Sequence, residues 1–145
     1  MRAVLEILCD ASVVLKWFHA DREEEVGESR ALLDLHRSRL ASLFVLDLTM
    51  YEVGNALVRG VRVPADRAQV VVAALDAICP RLAITTAELA DALALAELHG
   101  LTVYDAAYPA VARSRRARLA TLDRLLLDAG LGERPSAIVS GVALS

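Results

Sequence analysis

Short apolar runs alternate along this chain with longer stretches of helical period, and most of the runs stop at or near a carboxylate. Residues 3–9 (AVLEILC) read as a strand buried on both faces, because a parallel strand covered above and below is apolar almost throughout. Asp10-Ala11-Ser12 follows, then VVLKWF over 13–18, a short helix for which Asp10 or Ser12 supplies the cap. Residues 23–37 are acidic at their start and basic at their end, as a helix dipole favours, with Val26, Leu32, Leu33 and Leu35 as a partial apolar face. A second strand is predicted at 40–46 (LASLFVL), followed by a helix over 48–59 with Gly60 as its stop. Another helix runs from Pro64 or Ala65 to Ile78, with proline at its first turn and Pro80 beyond its end.

The second half repeats the alternation. Residues 81–85 form a short strand, and Thr86 caps a long helix that stops before Gly100. Residues 101–103 are an extended link into a helix around 105–116, and 117–121 are a strand. Asp123 opens a short helix ending near Gly130, and 136–140 (SAIVS) are the last strand. Strands alternating with helices throughout predict an α/β fold, a three-layer α/β/α sandwich on a central, mainly parallel sheet. No repeat, low-complexity segment or linker interrupts the pattern, so residues 1–145 are expected to form one domain.

Composition narrows the picture. Hydrophobic residues make up 56% of the chain, above the roughly 45–50% usual for globular domains. Much of this is Ala, Leu and Val in helices, and with few aromatics it predicts a buried subunit interface. No run reaches the roughly 20 apolar residues of a membrane span, and the opening segment carries Glu6 and ends in Asp10, unlike a signal peptide. A cytoplasmic location is expected. Cys9 and Cys79 are too few and too far apart for a zinc motif or a disulfide framework and read as buried thiols. The net charge of −3 argues against binding nucleic acid through overall charge. Locally, Arg113, Arg115, Arg116 and Arg118 form a basic strip that would suit a phosphate backbone beside an acidic pocket, or simply the C-terminal end of a helix.

Four carboxylates carry the chemistry: Asp10, Glu52, Asp105 and Asp123 stand at strand-to-helix junctions or on the helix that follows. Such junctions share the carboxyl edge of a parallel sheet, where open α/β folds hold their sites. Each acid alone has a structural role available. Asp10, Asp105 and Asp123 suit helix caps, and Glu52 shares a helix face with Asn55 and Arg59. Together they would crowd negative charge into one pocket, which a hard divalent cation relieves. Pro109 bears on Asp105, whose carbonyl lies four residues back and receives no N–H from proline. A helix starting at Val103 is expected to kink there, whereas one capped by Asp105 tolerates it.

The runs CDASVVLKWF, YEVGNAL, YDAAYPAVA and ATLDRLL, in this order, resemble the four signature segments of PIN-domain proteins, in particular the VapC-type toxins of toxin–antitoxin pairs. The resemblance implies a PIN fold and a Mg²⁺- or Mn²⁺-dependent endoribonuclease. It also implies a homodimer and a cognate VapB-type antitoxin. It makes Asp10 and Asp105 the principal metal ligands, with Glu52 and Asp123 completing a catalytic quartet directly or through water. Ser12 and Thr121 then orient carboxylates or waters, and Asn55 has a structural role. Arg59, Arg113, Arg115 and Arg116 are candidate contacts to RNA phosphates, and Trp17 and Tyr104 are candidates for stacking on bases, although Trp17 beside Phe18 on an apolar helix reads rather as core or interface. Pro109 and Gly54 depart from the family pattern and bear on helix geometry rather than on the acids. An antitoxin is expected to lay a segment across the acidic groove, with an arginine standing in for the cation's charge.

Rival chemistries find little support. His19, His36 and His99 stand in no triad context, and aspartyl phosphotransfer would want a second acid beside Asp10 and a later lysine, where this chain has Ser12 and only Lys16. The remaining alternative is a PIN-like binding module without turnover, although such a scaffold has no need of four mutually repelling acids.

Overall fold

The computed structural model describes residues 4–19 and 24–144, so the expected strand start at residue 3 and helix start at residue 23 lie outside the described residues. Strands β1 (Leu5–Cys9), β2 (Ala41–Leu46), β3 (Arg81–Leu82) and β4 (Arg118–Ala120) form one sheet in the order β3-β2-β1-β4, every pair parallel. Helices α1 (Ala11–Phe18), α2 (Val26–Arg37), α3 (Asp47–Asn55), α4 (Ala65–Ile78), α5 (Thr86–His99), α6 (Val103–Ser114), α7 (Arg124–Asp128) and α8 (Pro135–Leu144) cover its two faces. Successive strand residues point to opposite faces. Ile7, Cys9, Leu43 and Val45 therefore enter one core with Val13, Val14, Leu32, Val53, Leu75 and Ile138 from α1–α4 and α8. Leu8, Phe44, Leu46 and Leu119 enter the other with Ala92, Leu95, Tyr108, Val111 and Leu126 from α5–α7. The expected three-layer sandwich is present, and double-sided burial explains why its strands are apolar runs.

Several boundaries moved, each for a local reason. The helix expected over 48–59 is α3 followed by a π-helical turn at Ala56–Gly60. The cap of α5 is Thr85, not Thr86. Its Oγ1 accepts the Glu88 N–H at 3.1 Å while Glu88 takes the Thr85 N–H at 2.9 Å, a reciprocal capping box. Helix α6 starts at Val103, capped by Thr102, whose Oγ1 accepts the Asp105 N–H at 3.1 Å, and it continues through Pro109 to Ser114. Strand β3 is two residues long, not five, and a side chain replaces the missing ladder. The Val45 N–H reaches Pro80 O at 2.9 Å, but the Leu43 N–H, beyond the end of β3, donates to His36 Nδ1 at 3.0 Å. Nδ1 is thus the acceptor nitrogen, and Nε2–H donates to Ile78 O at 3.1 Å.

The strand expected at 136–140 is a helix instead, lying inside α8. Five apolar residues fit either state by periodicity alone. Pro135 at the first helical position favours the helix. Glu25 then supplies the N-terminal acceptors from across the fold, taking the Ser136 N–H at 2.8 Å and the Ser136 hydroxyl at 2.7 Å. Extended pairing here shrinks to one parallel bridge between Ala120 and Glu133.

Candidate active site

Strand β1 ends at Cys9 and delivers Asp10 to the carboxyl edge of the sheet, where its N–H still pairs with Ala120 O at 3.3 Å. The Asp10 side chain caps α1. Its Oδ1 accepts the Val13 N–H at 3.3 Å and the Ser12 hydroxyl at 2.5 Å, and its Oδ2 accepts the Thr121 hydroxyl. Both hydroxyls also tie the carboxylate to the turn after β4: Ser12 Oγ accepts the Leu122 N–H at 2.9 Å and Thr121 Oγ1 accepts the Asp123 N–H at 3.0 Å. Asp123 in turn caps α7 through the Leu125 N–H at 2.9 Å. Asp10 is 5% exposed. Burial pushes its carboxyl up to about 6, the hydrogen bonds from Ser12, Thr121 and Val13 oppose the rise, and the charge of Asp123 adds to it.

Glu52, half-buried on α3, lies within reach of the charges of the other three acids. Its Oε1 accepts the Tyr108 hydroxyl at 2.5 Å. Tyr108 Oη lies 2.8 Å from Thr49 Oγ1, and Thr49 Oγ1 accepts the Leu46 N–H at 3.0 Å at the start of α3. Burial raises the Glu52 carboxyl above its usual range, Tyr108 opposes this, and the charges of Asp10, Asp105 and Asp123 raise it further. Asp105, in the first turn of α6, is raised by burial and by Asp123 against the Thr102 cap. The four acids thus share one electrostatic field although they come from four separate stretches of chain.

That field is the basis for asking whether a cation fits. Among the described residues no three His, Cys, Asp or Glu side chains are placed to hold an ion between them. The donors are all carboxylate and hydroxyl oxygens, and their mutual repulsion is unrelieved by any of the ion pairs among the described residues. Such a set fits a hard cation held through one or two carboxylates that keeps much of its water, as Mg²⁺ and similar ions do. It does not form a closed all-protein cage.

The other anticipated residues are more dispersed. Asn55 is exposed one turn beyond Glu52, and Arg59 is exposed in the π-helical turn, farther still from the start of α3. Arg113 lies in the last turn of the helix whose first turn carries Asp105, roughly 12 Å away at 1.5 Å per residue, and Arg115 and Arg116 follow its end. Because α6 runs back against the strand direction, they lie at the opposite edge of the sheet from the acids. Arg115 is also engaged there, its Nε 3.2 Å from buried Glu88. Trp17 is a core residue whose indole N–H donates to Ser29 O at 2.8 Å, whereas Tyr104 beside Asp105 is 66% exposed. Cys9 and Cys79 are buried; burial pushes both thiols up, Cys79 to about 12, so neither is a thiolate nucleophile near neutrality. Tyr108 and Thr49 were not anticipated as site residues. The available signal was the three-residue step from Asp105 to Tyr108, which puts an aromatic hydroxyl on the acid's own helix face.

Comparison with known proteins gives a consistent picture. The family model described as the PIN domain matches residues 7–130. Ribonuclease VapC3 of Pyrobaculum aerophilum is 36% identical over 129 residues, covering 86% of this chain and 94% of that protein. A crystal structure of PAE2754 from P. aerophilum superposes with a TM-score of 0.70 at 28% identity, covering 99% of this chain and 100% of that one. VapC20 of Mycobacterium tuberculosis, described as a sarcin-ricin loop cleaving toxin, has a TM-score of 0.67 at 19% identity over 86% of this chain and 95% of its own. A toxin–antitoxin complex from Klebsiella pneumoniae matches at 0.64 and 18% identity, over 89% and 97%. The last two, at such low identity, speak for the fold.

Proposed function

Because the chain belongs to the PIN-domain family, we propose that it is a VapC-type toxin, a Mg²⁺- or Mn²⁺-dependent endoribonuclease neutralised by a cognate VapB-type antitoxin. In this reading residues 1–145 form one PIN domain that works as a homodimer on RNA. The observation that carries it is the treatment of Asp10: a nearly buried carboxylate, both oxygens fixed by hydroxyl donors, and coupled electrostatically to Asp123 and Glu52. A scaffold gains nothing from assembling that much like charge.

Asp10 and Asp105 would be the principal holders of the cation, with Glu52 and Asp123 completing the set directly or through water. A bound divalent ion lowers the pKa of an attacking water and stabilises charge on the phosphoryl oxygens. The chain's own part is orientation. Ser12 and Thr121 prevent the Asp10 carboxylate from rotating, and their second bonds, to the Leu122 and Asp123 N–H groups, fix its distance from Asp123. Asp105 is held by Thr102 at both its backbone N–H and its carboxylate, which fixes the acid at the start of α6. Exposed Tyr104, next to Asp105, is the aromatic best placed to meet a base.

Incubating the purified protein with total RNA tests the reading. Cleavage is expected with Mg²⁺ or Mn²⁺, and is expected to vanish in chelator and in Asp10→Asn and Asp105→Asn variants. Cleavage that persists under either condition would remove the assigned chemistry. A second reading is a PIN-like binding module without turnover: among the described residues no three acids converge on one ion position, although an ion that keeps much of its water does not need them to. RNA retained but uncut in the presence of either cation would select it.

A further inference from the structure

Glu52 differs from the other three acids in how its oxygen is held. Asp10 and Asp123 cap helices by accepting backbone N–H groups, whereas Glu52 sits in mid-helix and takes its bond from Tyr108, a residue on the opposite helical layer. Tyr108 is 2% exposed and Thr49 fully buried, so water does not compete for their hydroxyls. The direction of each bond follows from the donors available. The Leu46 N–H occupies a lone pair of Thr49 Oγ1, and the Tyr108 proton goes to the carboxylate, which has none to give. The Thr49 hydroxyl is therefore left to donate to Tyr108 Oη. The result is a one-way chain from backbone to carboxylate: Leu46 N–H, Thr49, Tyr108, Glu52.

Tyr108 lies one turn beyond Asp105 on α6. Its bond to Glu52 therefore links the helix carrying one acid to the side chain of another. We propose that Tyr108, oriented by Thr49, is a positioning residue that holds Glu52 Oε1 and so fixes how Glu52 is presented to the cation that the acids would hold. Glu52 Oε2 would then be the oxygen left to meet the cation or its water. The inference rests on the metal-nuclease reading but adds to it a residue that touches neither ion nor RNA.

The test is Mn²⁺ binding to the RNA-free protein, followed by calorimetry or by the electron-spin signal of free Mn²⁺. Tyr108→Phe keeps the buried ring and removes the hydroxyl; it should weaken Mn²⁺ binding about tenfold or more, the usual effect of losing a partner behind a metal ligand. In a Glu52→Gln background the same substitution should add little, because its effect passes through Glu52. Thr49→Ser, which keeps the hydroxyl, should bind as wild type does, and Thr49→Val should fall toward Tyr108→Phe. The serine–valine pair still decides the matter if Tyr108→Phe folds poorly. Equal Mn²⁺ affinity in wild type, Tyr108→Phe and Thr49→Val would overturn the inference and leave the nuclease reading intact. So would an equal loss with and without Glu52. A wild-type protein that binds no Mn²⁺ would sink the nuclease reading and this inference with it.

Discussion

Asp10 sits between two opposed demands, since burial disfavours the charge that the proposed cation site requires. Its carboxyl, raised from 3.8 to about 6 by burial, takes up a proton in the folded chain before it does in the unfolded one as pH falls. The folded state is therefore favoured below the lower value and loses that advantage as pH rises through the higher one. The penalty in place above about pH 6 is about 3 kcal/mol. Calorimetry of the cation-free protein should show its thermal midpoint falling between about pH 4 and about pH 6, to which the raised carboxyls of Glu52 and Asp105 contribute with the same sign. Asp10→Asn should flatten that slope and be the more stable protein at about pH 8, while losing cleavage. A midpoint that instead rises over this window would mean that the hydroxyl bonds outweigh burial. Cation affinity should fall as pH drops through the same range, because only the ionised carboxylates bind.

At the scale of elements, the site depends on how closely β4 is backed by the chain that follows it. Gly132 leaves no room for a side chain: a Cβ there would meet Thr121 Cγ2 at 2.6 Å and Leu119 Cδ2 at 3.2 Å. Gly132→Ala should cost about 1–3 kcal/mol in urea denaturation, as overpacking does. By displacing Thr121 from Asp10 it should also lower RNA cleavage; full activity in a destabilised variant would show that the Thr121 bond is dispensable. Much of this architecture was legible in the sequence, and the reasons are local. Doubly covered strands read as apolar runs and three of the four acids are near helix starts, whereas the caps read less well: Thr86 is expected where Thr85 caps α5, and Asp105 where Thr102 caps α6. What was illegible depends on partners distant in the chain. Glu25 decides that 136–140 is helical from 111 positions away, and Tyr108 meets Glu52 across 56. The arginine strip misled for a related reason. Sequence shows Arg113 and Arg116 close behind Asp105, but a helix turns that closeness into separation along its axis.

Seen whole, the molecule keeps its acids at one end of the sheet and the α6 arginines at the other, so its charge is polarised even though its net value is small. Its apolar surplus is also unevenly placed. Helix α5 buries Ala92 and Leu95 against the sheet, yet Leu89, Leu93 and Leu98 on the same helix are 40%, 53% and 75% exposed. A helix that is apolar around most of its circumference suits a second covering surface. If the proposed homodimer forms through it, Leu93→Glu should yield a monomer in analytical ultracentrifugation with its far-ultraviolet dichroism unchanged. A variant that remains dimeric would place the interface elsewhere. The order of the strands has one more consequence. β1 is made first on the ribosome but lies between β2 and β4, and the Thr121 donor to Asp10 is 111 residues downstream of it. A half-synthesised chain thus holds Asp10 without the donor that fixes it, and long-range pairing of this kind forms late. A nuclease of the kind proposed would therefore not have its first acid fixed until synthesis had passed Thr121.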